Sequence, residues 1–244
     1  MRRGPAPDVD LSPYVGAIPL LVRNPTIIVV PLLMSVIGVL FGQLFSPYGG
    51  GLLTEATGGI AALIALLLDF FGMGAACVMA DDAWRGGRVS FDSGWTEARR
   101  RGGDILMAAI GVSLLLSVGQ YVSNLFGGVG IILMAVIAFF LIFTIPAAAV
   151  GGIPGGAAIQ VSIDRVRSAP LAAGIATAAT IVLVLFVPPQ AALFLGTLIA
   201  PYTAGSDVIV ASLLKALIQS ITISYMALVL TKTYSELAFS GRRW

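Results

Sequence analysis

Apolar residues along this chain come in long runs. They do not alternate, and they do not form one-sided stripes. "TIIVVPLLMSVIGVLFGQLFS" at 26–46 and "TGGIAALIALLLDFFGMGAACVMA" at 57–80 are the first two runs. Others cover about 104–125 and 128–150, resume at Pro170 and close over 207–232. About 20 apolar residues carry a helix across a bilayer core. The pattern therefore predicts an all-α integral membrane protein, a bundle of six transmembrane helices forming a single membrane domain over 1–244. Glycine and proline inside the runs do not oppose this, because transmembrane helices tolerate both.

The fifth run is the irregular one. "IVLVLFVPPQAALFLGTL" holds Pro188-Pro189-Gln190, and two prolines remove two backbone donors. Pro170 to Val187 already spans roughly 27 Å as a helix. Two arrangements are open. Pro188 marks the outer interface, with 190–201 lying flat or dipping back in. Otherwise a tilted helix is broken at Pro188 inside the membrane, as in transporters whose broken helices line cavities.

Composition agrees with lipid as the solvent. The chain is 58% hydrophobic and 11% charged, with a mean hydropathy of +0.98. Soluble domains run near 25% charged. A net charge of +2 is too small to suggest nucleic acid. With no histidine and one cysteine, Cys77, there is no basis for a disulfide framework, a thiolate or imidazole metal site, or His-based acid–base catalysis. No cofactor and no metal is expected. "MRRGPAPDVDLSPY" leads into a run interrupted by Arg23-Asn24-Pro25, so the first apolar segment is expected to be a retained anchor and not a cleaved signal.

The positions of the charges set an orientation. Arg2, Arg3 and Arg23 precede the first run, and Arg85, Arg88, Arg99, Arg100 and Arg101 lie between the second and third. Arg165 and Arg167 lie between the fourth and fifth, and Lys232, Arg242 and Arg243 follow the sixth. The other three connections carry no Lys or Arg. The positive-inside rule then puts both termini in the cytoplasm. Lys215 is the one basic residue left over.

A weak repeat appears on the same face. "LSPYVGAIPLLVRNP", "FDSGWTEARRRGGD" and "AAIQVSIDRVRSAP" precede the first, third and fifth runs. Each is short, partly amphipathic and ends in arginine. Phe91 and Trp95 share a face, Glu97 and Arg101 form an i,i+4 pair, and Ile159, Ile163 and Val166 make an apolar stripe. The expectation is three helical-hairpin repeats, each preceded by a cytoplasmic interfacial helix with arginines at the phosphates. Arg99, Arg100, Arg101, Arg165 and Arg167 are the lipid- or partner-facing basic residues.

"IPLLVRNPTIIVVPLL", "SGWTEARRRGGDILMAAIGV" and "IDRVRSAPLAAGIATAA" resemble a broad group of uncharacterised bacterial six-span proteins. That group is similar to the membrane domain attached to some glycerophosphodiester phosphodiesterases. The resemblance implies a six-helix membrane fold. It implies no catalytic residues, since the phosphodiesterase domain is absent from this sequence.

Two charges fall inside spans, where ionisable residues are functional candidates by default. Asp69 lies close to the midplane, inside "LLLDFFG". Lys215 shares a helical stripe with Ser212, Gln219 and Thr222. It either snorkels to the outer headgroups, or joins a structural ion pair or hydrogen-bonded site, for which Asp69 is the natural partner, or lines a pathway. Ser113, Ser117 and Gln120 make a milder polar face, and Gly72, Ala76, Gly127, Gly128 and Gly130 permit close helix approach. Asp81 and Asp82 are expected to cap a helix end and pair with Arg85. The motifs HExxH, GxSxG and the P-loop are missing, so no enzyme is expected. The leading expectation is a small permease or channel-like protein with Asp69, Lys215, Gln219 and Pro188 along its path. The alternative is a non-transporting scaffold, assembly factor or subunit of a larger membrane complex. Membrane lipids, and a second copy or a membrane-complex partner, are the expected contacts.

Overall fold

The computed structural model describes residues 10–45, 52–199 and 207–240. Arg2, Arg3, Arg242 and Arg243 lie outside the described residues, as do 200–206. All regular structure among the described residues is helical. A short helix α1 (Ser12–Arg23) leads into α2 (Thr26–Phe45) and α3 (Leu52–Gly86). A second short helix, α4 (Phe91–Arg100), leads into α5 (Gly102–Phe126) and α6 (Gly128–Leu141), which a turn joins to α7 (Thr144–Ala149). A third, α8 (Gly155–Ser168), leads into α9 (Pro170–Thr180), a π-helical stretch (Ile181–Phe186), α10 (Val187–Ile199) and α11 (Asp207–Ser240).

Among the described residues, five helices are long and apolar enough to cross a membrane, and six if the bent pair Ser12–Arg23 and Thr26–Gly42 counts as one. That pair meets at 87°. Pro25 disfavours helical geometry at Asn24, and the Asn24 side chain holds the corner. Its Nδ2 donates to Leu20 O at 2.9 Å and Gly87 O at 3.2 Å, and its Oδ1 accepts from Val89 N at 2.9 Å.

α11 is the hub and packs on α1, α2, α3, α7 and α10. Its apolar window is 56% buried, against 17% for Pro170–Leu198, which therefore lies on the outside of the bundle. The helix runs on through Pro188 and Pro189. Neither proline has an N–H, and the turn before them widens so that Val187 N–H donates to Val182 O, five residues back. Such π-type widening is a known accommodation for a proline in a helix. Pro188 is buried and Gln190 is exposed.

Small residues bring the helices close. Gly72 faces Pro31, whose Cα would lie 3.0 Å from an added Cβ. Ala75, Ala76, Ala80 and Ala83 on α3 are fully buried. The α5–α6 turn needs Gly127 at φ +57°, and it sets Gly130 against the Ser123 backbone. Gly155 opens α8 directly on α5, where a Cβ would fall 2.7 Å from both Ala108 N and Asp104 O. Backbone cannot swing away as a side chain can. Gly155→Ala is therefore expected to destabilise the chain by about 2 kcal/mol, the usual scale of overpacking, seen as a lower thermal midpoint in detergent.

Candidate functional site

Two clusters of polar side chains are candidates, one at mid-bundle and one at the arginine-rich end. The mid-bundle cluster is built by α2, α3 and α11. Asp69 on α3 is flanked by Leu and Phe in sequence, yet both its carboxyl oxygens are occupied. Ser35 Oγ on α2 donates to Oδ1 at 2.7 Å, and Gln219 Nε2 on α11 donates to Oδ2. Ser35 itself is buried. Asp69 and Gln219, both candidates from the sequence, thus meet directly. The expected ion pair is absent, since no salt bridge joins Lys215 to Asp69 among the described residues. Lys215 is exposed, though close enough for its charge to act on Asp69. Thr222 Oγ1 turns back to Gln219 O at 2.9 Å, so that hydroxyl serves its own helix. Ser113 is fully buried, and its Oγ has no hydrogen-bond partner among the described residues.

Other hydroxyls tie α11 to its neighbours at the same ends. Ser224 Oγ donates to Ile27 O at 3.3 Å, Tyr225 Oη to Tyr14 O at 3.0 Å and Thr231 Oγ1 to Cys77 O at 3.4 Å. Trp84 Nε1 donates to Leu228 O at 3.0 Å, and Lys232 Nζ sits 5.6 Å from the Trp84 ring centre. In α8, Ser162 Oγ accepts from Phe143 N and donates to Phe140 O, which satisfies the backbone at the α6–α7 turn.

The second cluster lines a recess of about 300 Å³ where α3, α4 and α7 end. Its charged residues are Asp81, Asp82, Arg85, Glu97, Arg100 and Arg101. Ser90 caps α4 by accepting from Ser93 N, and Gly94 seats the helix against Met79 on α3. The Phe91 and Trp95 rings stack at 6.3 Å. One α4 face thereby packs on the bundle and turns Glu97, Arg100 and Arg101 toward the recess. Glu97 Oε1 accepts from Arg100 Nη2 and from Arg101 Nε, both at 2.6 Å. These bonds, Arg100's first, hold the Glu97 carboxyl below its ordinary range. Arg101 Nη1 goes on to Ala149 O at 2.7 Å and Val150 O at 3.0 Å. Asp81 pairs with Arg85 at 2.8 Å, as expected. Asp82 does not, and it makes no ion pair or hydrogen bond among the described residues.

Of the basic residues singled out above, Arg100 and Arg101 enter this recess, while Arg99 and Arg167 are exposed elsewhere. Arg165 reaches from α8 to Leu237 O at 3.0 Å. Pro188 lies in neither cluster. A separate apolar groove of about 310 Å³ lies between α1, Leu183 and α11. Asp69 and Lys215 line neither hollow. Ser35 lies inside the first apolar run with nothing in the pattern to mark it, and Asn24 was legible only as part of the break before that run. No protein-family model, no curated protein and no solved structure matches the chain.

Proposed function

We propose that this protein is a non-transporting membrane component, a scaffold or subunit that docks lipid or a partner at its arginine-rich end. The observation that carries this is the state of Asp69. The one acid deep in a span is used up holding α2, α3 and α11 together, the role polar residues commonly play between membrane helices. Most of the remaining charge gathers at the span ends. This end is cytoplasmic by the arginine rule, and the membrane is a bacterial inner membrane.

A three-unit plan supports a structural role. In each short-long-long segment, a polar side chain near the end of the short helix donates to a carbonyl near the end of the segment's last helix. Asn24 does so to Gly87, Arg101 to Ala149 and Val150, and Arg165 to Leu237. The three short helices are then interfacial struts, latched to their own hairpins. A permease role is the second reading, favoured by the exposed Lys215 beside Asp69.

Complementation of a deletion strain separates the two. Asp69→Asn should restore the wild-type phenotype, and the double variant Arg99→Gln/Arg100→Gln should not. The opposite pattern would favour transport through Asp69 and sink the docking role.

A further inference from the structure

Three apolar windows end at the charged recess. Gly59–Gly86, Gly102–Ser123 and Gly130–Ala149 reach it through Asp81–Arg85, Arg101 and Ala149 respectively. Hydrocarbon-soluble helix stops where headgroups begin, and Trp84, which precedes Arg85 on α3 with its ring turned to α11, is a residue type enriched at that level. The recess therefore lies at headgroup depth. Its volume, about 300 Å³, is at the small end of the roughly 300–1,000 Å³ typical of small-molecule sites.

Its charges are balanced, three carboxylates against three guanidiniums. A simple anion drawn to the arginines meets the acids. A divalent cation meets the arginines, and the described residues contain no group of acids placed to hold a metal. A ligand carrying both signs a few ångströms apart suits the recess better. Arg101 is committed to Glu97, Ala149 and Val150. Arg85 and Arg100 stand at the rim with side chains 74% and 72% exposed, each giving one nitrogen to a carboxylate. A guanidinium has five N–H donors, so both retain donors that can fork onto a phosphate. Among the acids, Glu97 and Asp81 are paired and Asp82 is the open one.

We propose that this recess binds a phosphoethanolamine head, its phosphate on Arg85 and Arg100 and its ammonium on Asp82, presented by a zwitterionic phospholipid of the adjoining leaflet. The proposal deepens the docking role above and rests on it. A primary ammonium donates three hydrogen bonds, whereas a trimethylated choline donates none. Phosphatidylethanolamine is thus selected over phosphatidylcholine at Asp82. An anionic phosphatidylglycerol engages only the arginine wall.

The test uses the full chain in nanodiscs of phosphatidylcholine doped with phosphatidylethanolamine or phosphatidylglycerol. Lipid retained through mild delipidation is counted by native mass spectrometry. Wild type should keep phosphatidylethanolamine about tenfold over phosphatidylcholine, the lower end of the scale of one hydrogen bond to a charged group. Asp82→Asn should erase that preference while retaining lipid, and Arg85→Gln/Arg100→Gln should reduce retention of both. All these side chains are on the rim or exposed, and matched thermal midpoints would establish that the variants fold. Equal retention of the two lipids by wild type, or a preference that survives Asp82→Asn, overturns the proposal. Stabilisation of wild type but not Asp82→Asn by soluble phosphoethanolamine, with no lipid preference, overturns the lipid source and assigns the site to a free molecule. If headgroup selectivity is missing while Arg99→Gln/Arg100→Gln still fails to complement, the docking role stands and this ligand alone falls.

Discussion

Arg101→Ala should lower the stability of the folded chain by about 3 kcal/mol, as expected when a charged donor to several acceptors is lost. The side chain joins Glu97 on α4 to the carbonyls of Ala149 and Val150 at the end of α7, and so ties the α4–α5 corner to the end of the same hairpin. Removal leaves both carbonyls facing the recess without this partner and frees Glu97 to pair with Arg100 alone. Lysine should recover little, because one ammonium cannot reproduce a fork that reaches a carboxylate and two carbonyls. Arg100→Gln is the contrasting control. That side chain stands in water at the rim, where a single ion pair contributes little. Thermal unfolding in a mild detergent should show a large drop for Arg101→Ala, an almost equal one for Arg101→Lys and almost none for Arg100→Gln. Equal effects at 100 and 101 would mean that the carbonyl latch contributes nothing.

The long helices and the short ones before them were legible for a physical reason. A bilayer demands unbroken apolar runs, and arginines collect where those runs stop. Details that depend on two distant segments facing each other were not. The polar stripe of α11 made Lys215 the natural partner of Asp69, but the stripe alone does not say which member arrives. Residues four apart on a helix sit about 40° apart around its axis. That offset is enough to bring Gln219 onto the carboxyl while Lys215 stays exposed. Ser35 has no periodic companions in α2, so nothing in the pattern marked it. The recess was hidden for another cause. Its acids and arginines were all visible in sequence, but two of its acceptors are the carbonyls of Ala149 and Val150, and every residue has a carbonyl. Pro188-Pro189 illustrates the converse. The missing donors were certain from the sequence, yet whether the helix would break there or widen and run on was not.

Asp69→Leu is expected to cost about 2–3 kcal/mol, and Asp69→Asn much less than that. Leucine matches the surrounding "LLLDFFG" and would be favoured if burial in lipid were the deciding effect. It leaves Ser35 Oγ and the Gln219 amide without their shared acceptor between three helices. Hydrogen bonds between membrane helices average about 0.6 kcal/mol and reach about 1.7, so losing two sets the expected scale. Asparagine retains a carbonyl for Ser35, and the Gln219 amide can reverse to offer its oxygen to the new NH₂ group. The lock therefore needs hydrogen-bonding capacity and not charge. Lys215→Gln should leave stability unchanged, since Lys215 carries no ion pair to Asp69. Charge exchange, Asp69→Lys with Lys215→Asp, should fail to restore what Asp69→Lys alone destroys, because the partners are Ser35 and Gln219. Rescue by that exchange would instead establish a direct Asp69–Lys215 pair, and it would return the mid-bundle cluster to candidacy as a transport site.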